Sequence, residues 1–202
     1  MRRVVLMMSV SIDGFVAGPH GHAGALPEPD ELKRWKLDRV RRAGTHIMGR
    51  VTYEEMAGYW PTSTDDYAAP MNEIPKVVFS RTLERADWPE TRIARGDLSE
   101  EIGSLKREAG NDLIAYGGAT LDQALTRLGL VDEYRLMIQP AALGAGLPLF
   151  KDLRAPPRSH SRGPKRRAPA CSRARPLQSG RTLRSPRRRS GARSFARPPP
   201  TS

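Results

Sequence analysis

The chain has 202 residues, enough for one domain with a core of ordinary size and too few for two. Its formal charge of +12 suggests a basic protein, yet residues 1–153 carry 19 basic and 22 acidic side chains, whereas residues 154–202 carry 15 basic and no acidic ones. A single cysteine, Cys171, excludes an internal disulfide framework; no stretch approaches the roughly 18 apolar residues of a membrane span, so a cytoplasmic chain with no membrane partner is expected.

Arg2 and Arg3 ahead of Val4–Met8 imitate the start of a signal peptide, but Asp13 and Gly14 interrupt the apolar run too early for one. Val4 to Val10, continuous and partly β-branched, reads as a strand covered on both faces in the middle of a sheet. Ser11 to Pro29 is rich in Gly, Pro, His and Asp and reads as a long functional loop. Its His20 and His22 lack cysteine or acidic partners, so no metal is assigned. From Asp30, apolar residues at Leu32, Trp35, Leu37 and Val40 predict a helix that stops near Gly44.

His46-Ile47-Met48 is a short strand, Gly49 to Ala57 a turn into a helix, and Tyr59-Trp60-Pro61 an aromatic connection whose rings, with Trp35, suit core filling. Lys76 to Phe79 is the next strand. Asp97 with Glu100 makes a capping box for a helix whose buried stripe is Ile102, Leu105 and Ala109. Leu113 to Tyr116 is a strand running into Gly117-Gly118; Thr120 with Gln123 forms a second capping pair, and Gly129 is a natural helix stop. Tyr134 to Ile138 is the last strand, followed by a turn at Gly144 to Gly146. Strands alternating with helices predict an α/β fold, three layers with a mostly parallel sheet between helices, in which ligands bind where strands end and helices begin.

Three strand ends carry chemistry. At Gly117-Gly118-Ala119-Thr120 the backbone can approach an anion closely and offer free N–H groups, although a tight turn alone would also need glycine. Gly49-Arg50-Val51-Thr52 opens a helix with a guanidinium and a hydroxyl that suit phosphate; the bland alternative is a solvated arginine. Ser80-Arg81 is apt for a ribose 2′-phosphate, and equally an ordinary charge after a strand.

Taken together, Ser9-Val10-Ser11-Ile12-Asp13-Gly14, Met48-Gly49-Arg50-Val51-Thr52-Tyr53-Glu54, Ser80-Arg81-Thr82, Tyr116-Gly117-Gly118-Ala119 and the closing Leu143–Phe150 segment resemble the dihydrofolate-reductase-like superfamily. They resemble more closely the reductase domain of bacterial riboflavin biosynthesis and its stand-alone relatives, over about Arg2 to Leu153. The resemblance implies NADPH as hydride donor, with Gly49, Arg50, Val51 and Thr52 on the pyrophosphate, Ser80 and Arg81 on the adenosine 2′-phosphate, Gly117, Gly118, Ala119 and Thr120 at a second helix N-terminus, and Ser11, Asp13 and Gly14 shaping a loop over the nicotinamide. A small heterocyclic substrate and a homodimer are implied with it. Folate reductases place a proton-relaying carboxylate after a Leu-Pro at the start of the first helix; here Leu26-Pro27 is followed by Glu28, Asp30 and Glu31, of which Asp30 and Glu31 are the candidate acids, their alternative role being to favour the helix N-terminus electrostatically.

Residues 154–202 are mainly Arg, Pro, Ser and Ala, lack Val, Ile, Met, Trp and Tyr, and read as a disordered basic tail. Such a tail would bind polyanions through phosphate contacts, but Phe195 is its only aromatic and no specific nucleic-acid partner is expected. The abrupt change of composition suggests a reading-frame shift near Leu153 or Arg154 that removes the family's final strands. The expected activity is NADPH-dependent reduction of the kind catalysed by 5-amino-6-(5-phosphoribosylamino)uracil reductase; a pterin reductase is the second reading, and a non-catalytic polyanion-binding scaffold the third.

Overall fold

The computed structural model describes residues 1–19, 28–116 and 118–153. Six strands form one sheet: β1 (Val4–Ser11), β3 (Thr45–Gly49), β4 (Lys76–Phe79), β5 (Thr91–Ala94), β6 (Leu113–Tyr116) and β7 (Glu133–Gln139), in the order β5-β4-β3-β6-β1-β7. Every pairing in it is parallel. A second, two-stranded sheet pairs β2 (Phe15–Ala17) with β8 (Leu147–Pro148). The described residues also form five α-helices, α1 (Asp30–Arg41), α2 (Arg50–Tyr59), α3 (Ala68–Glu73), α4 (Leu98–Arg107) and α5 (Ala119–Arg127), and a 3-10 turn at Trp60–Thr62.

The inner strands are mainly apolar because successive side chains serve two cores. Val4, Leu6, Ile47, Val77, Leu113 and Ala115 pack with Ile102 and Leu105 of α4 and Leu121 and Leu125 of α5. Met7, Met48, Val78 and Ile114 point the other way, to Val40 of α1, Tyr53 of α2 and Met71 of α3. The result is the expected three-layer α/β fold. β1 lies inside the sheet, between β6 and β7, as its composition requires.

Local signals place several boundaries. Asp97 caps α4, its carboxylate accepting from the N–H groups of Ser99 at 2.8 Å and Glu100 at 3.2 Å. Gly129 ends α5 at φ +66°; its N–H reaches Thr126 O and that of Leu130 reaches Leu125 O, a Schellman closure. The capping role expected of Thr120 is not found: α5 starts at Ala119 and its cap is Gly118, in the left-handed conformation. Three elements lack a sequence signal. β2 sits inside the supposed loop and is held by β8, β5 is a short edge strand interrupted by Arg92, and α3 has only six residues, one of them proline.

One buried charge stands out at the foot of β4. Lys76 is fully enclosed, donates to Asn72 O at 2.7 Å and Ile74 O at 2.8 Å, and lies 4.7 Å from the Trp88 ring centre. Burial pulls its ammonium down to about 8. Replacing it by alanine removes the packed stem and strands two carbonyls, so Lys76→Ala is expected to lower stability by about 3 kcal/mol, measured as a shift of the urea midpoint.

Candidate functional site

Because all six strands run the same way, every carboxyl end opens on one edge of the sheet. After β3 the chain passes through α2 to β4 on one side; after its neighbour β6 it passes through α5 to β7 on the other. The connections therefore diverge between β3 and β6, the switch point at which open α/β sheets offer a crevice to ligands. Gly49-Arg50 and Gly118-Ala119 flank that crevice, and Ser80-Arg81 follow the next strand outward.

The two helix N-termini there are close and uncapped. Gly118 has φ +86°, and a Cβ built on it would fall 2.8 Å from Thr52 Oγ1 and 3.9 Å from the Gly49 nitrogen. Only glycine fits so close a meeting of two turns. Neither Gly49 before α2 nor Gly118 before α5 supplies a side-chain cap, in contrast to Asp97 before α4. Uncapped first-turn N–H groups and the positive ends of two helix dipoles suit an anion. A Cβ at Gly49 would meet nothing nearer than Leu121 Cβ at 3.8 Å, so internal packing does not demand glycine at that position.

Each residue named from the sequence can now be located. Arg50 is exposed and holds Glu54, one turn on, at 2.9 Å, while Val51 is exposed beside it and Thr52 is buried against Gly118. Ala119 is buried and Thr120 exposed in the first turn of α5. Gly117 lies outside the described residues, as do His20, His22, Leu26, Pro27 and residues 154–202. Ser80 Oγ accepts from the N–H groups of Thr82 at 3.2 Å and Leu83 at 2.9 Å, which shapes the turn carrying Arg81. Arg95, which the sequence did not single out, braces that turn by donating to the carbonyls of Arg81, Leu83 and Glu84.

Ser11, Asp13 and Gly14 form a latch. Asp13 accepts from Ser11 Oγ at 2.5 Å, from Gly144 N at 2.7 Å and from Leu143 N at 3.1 Å, and these donors pull its carboxyl down to about 2. Leu149 N donates to Gly14 O at 2.9 Å, and a Cβ at Gly146 would fall 2.1 Å from Ala17 O. Asp13 thus shapes its loop by tying the end of β1 to the Leu143–Gly146 turn.

The expected buried acid is not at the start of α1. Asp30 and Glu31 are exposed in its first turn, and Glu28 is held by Lys36 at 2.9 Å. An enclosed carboxyl occurs instead at Asp122 in α5, which has no exposure and no hydrogen-bond partner for either oxygen. Burial alone lifts it to about 7. Two further buried polar atoms lack partners, His46 Nδ1 and the Tyr116 hydroxyl, in rings whose centres are 5.1 Å apart. His46 is held down to about 4 by burial, and its Nε2 lies 3.2 Å from Pro70 O. Among the described residues no cluster of three or more His, Cys, Asp or Glu side chains could hold a metal, and no helix is long and apolar enough to cross a membrane.

Comparison with known proteins agrees with this geometry. Residues 2–162 match the sequence profile of the RibD C-terminal domain. The chain is 33% identical over 159 residues to the uncharacterized protein YyaP of Bacillus subtilis (strain 168), covering 76% of this chain and 82% of that one. Among solved structures it is similar to a protein of Shewanella sp. PV-4 provisionally named a riboflavin biosynthesis protein, with 25% identity, a TM-score of 0.62, and coverage of 77% of this chain and 86% of that one. It also shares its fold with dihydrofolate reductase from Enterococcus faecalis, solved with NADP(H), at 14% identity and a TM-score of 0.50, covering 75% of this chain and 79% of that one.

Proposed function

The chain belongs to the RibD C-terminal domain family, which comprises NADPH-dependent reductases of the dihydrofolate-reductase-like fold, and from that premise we propose that it reduces a planar nitrogen heterocycle at the expense of NADPH. The leading substrate is an aminopyrimidine of the 5-amino-6-(5-phosphoribosylamino)uracil kind, and a pterin is second. The observation that supports this reading most is the left-handed Gly118 packed on Thr52 where two uncapped helices diverge, a cradle that a single methyl group would fill.

The residues present fit such a cofactor. Backbone N–H groups of Val51 and Thr52, with Gly49 and the Arg50 guanidinium, would hold one side of the pyrophosphate. Gly117, Gly118, Ala119 and Thr120 would hold the other. Ser80 retains a hydroxyl proton to donate, and Arg81 on the turn braced by Arg95 would hold the adenosine 2′-phosphate bidentately. The latch of Ser11, Asp13 and Gly14 would set the loop over the nicotinamide. When bound, the reduced nicotinamide supplies a hydride; the protein orients it, keeps water out and provides the proton.

Fluorescence titration of the full chain with NADPH tests the proposal: saturable binding supports it, and no binding overturns it. Arg81→Ala is expected to weaken NADPH by about tenfold to a hundredfold, the worth of one charge-assisted hydrogen-bond pair, and to leave NADH affinity nearly unchanged. Equal losses for both cofactors would remove Arg81 from the phosphate site.

A further inference from the structure

Reduction of a C=N or C=O bond consumes a proton as well as a hydride, so the site needs an acid beside the reacting heteroatom. Asp122 has the setting for one. It lies one turn into α5, its N–H on the Gly118 carbonyl at 3.2 Å, directly behind the cap that meets Thr52. The next residue, Gln123, donates to Pro148 O at 2.7 Å and so braces this turn against the β2–β8 sheet, whose other strand leads from the Ser11–Gly14 latch. The turn that carries this carboxyl therefore lies between the Gly118 cap and the β2–β8 sheet.

Among the described residues nothing uses this carboxyl. Both oxygens are buried and unpartnered. One turn further along α5, Thr126 accepts from the Tyr134 hydroxyl of β7 at 3.2 Å, and both groups are neutral. No charged side chain contributes to the behaviour of Asp122, which burial alone determines. A carboxyl that satisfies no donor among the described residues is costly to bury and unnecessary for packing among Leu121, Leu125 and their neighbours, which points to a bound molecule as its partner.

Resting on the reductase reading above, we infer that Asp122 is the acid that protonates the substrate. With NADPH bound, its hydride would go to the carbon of the C=N or C=O bond, the π electron pair would move onto nitrogen or oxygen, and that atom would take the carboxyl proton. The products would be the reduced heterocycle, the oxidised dinucleotide and the Asp122 carboxylate, which a proton from solvent would restore. Two features favour the protonated state beforehand. Burial keeps a large share of the acid protonated near neutral pH, and a pyrophosphate at the mouth of α5 would oppose a second negative charge one turn away.

The test uses the full chain and Asp122→Asn, which keeps the shape and loses the acid. NADPH titration is expected to give affinities within about threefold of each other, less than 1 kcal/mol on the usual scale. In weakly buffered solution near pH 7.5, NADPH binding to the wild-type chain is expected to take up part of a proton that Asp122→Asn does not take up. With a panel of aminopyrimidines and pterins, the variant is expected to lose about 10² to 10⁴ in kcat with little change in the KM for NADPH. In Asp122→Glu, part of that kcat and the basic limb of the pH profile should return. Equal proton uptake by wild type and Asp122→Asn overturns the inference whatever the panel shows, as does an Asp122→Asn variant with full kcat and an unchanged pH profile. A wild-type chain that fails to bind NADPH overturns the reductase reading itself.

Discussion

Gly118→Ala is expected to lose both stability and NADPH binding. The residue sits at φ +86°, where an L side chain costs about 1–2 kcal/mol, and the new methyl would stand 2.8 Å from Thr52 Oγ1. Thr52 is buried at the start of α2 and cannot swing away freely. A loss of about 2–3 kcal/mol should follow, read as the shift in thermal or urea midpoint. Binding should suffer more, because relieving the clash parts the two helix N-termini whose N–H groups are assigned to the same pyrophosphate; a drop of at least about tenfold in NADPH affinity is expected. The double variant Gly118→Ala, Thr52→Ala separates the causes. Relieving the contact should restore part of the stability, and the share that remains lost measures the cost of the backbone conformation. If Gly118→Ala binds NADPH like wild type, the cradle is not where the phosphates lie.

The second large effect is on stability against pH. Asp122 titrates near 7 in the fold and near 3.8 when exposed, so its protonated form is the one the fold favours. Its contribution is fully present below pH 4, is lost as pH rises from about 4 to about 7, and is gone above that. At 1.36 kcal/mol per pKa unit the ceiling is about 4 kcal/mol. His46 acts oppositely in the same range. Held down to about 4, it costs stability while the unfolded chain's histidine takes up protons, so stability rises with pH from about 4 to 6.5. The wild-type curve should therefore be nearly flat where these two slopes cancel. The difference between Asp122→Asn and wild type isolates the carboxyl: whatever constant offset the buried amide adds, it should be level below pH 4 and then move in favour of the variant by up to about 4 kcal/mol by pH 7.5. A pH-independent difference would mean that Asp122 is solvated.

Much of the fold was legible in the chain because its information is local. β4 and β6 occupy the apolar runs Lys76–Phe79 and Leu113–Tyr116 with no change of boundary, since strands covered on both faces need an uninterrupted apolar sequence. The cap at Asp97 and the stop at Gly129 were equally readable, because a cap is satisfied within three or four residues. β2, β5 and α3 were not. β2 exists through its pairing with β8, 130 or so positions away in the chain, β5 through the exposed edge it adds to β4, and α3 through packing of Ala68, Pro70 and Met71 rather than any periodic stripe.

The same division runs through the candidate site. Glycine, hydroxyl and guanidinium at three strand ends raise, from sequence alone, the expectation of an anion-binding α/β protein, since the three occur together after apolar runs. That the ends of β3 and β6 are neighbours, that Gly118 rests on Thr52, and that Asp13 is consumed in a latch to Gly144 are consequences of strand order, which no short window of residues encodes. The acid shows the difference most sharply. Asp30 and Glu31 have the right position along the chain and remain in water, whereas Asp122, unremarkable in a helical stripe, is enclosed by its neighbours in space. The sequence alone therefore determined which residues could bind and which segments could form strands or helices, because those depend on side-chain chemistry and local backbone preference. Only the tertiary structure decided which of them meet and which carboxyl is buried, because proximity and burial are set by the packing of distant segments.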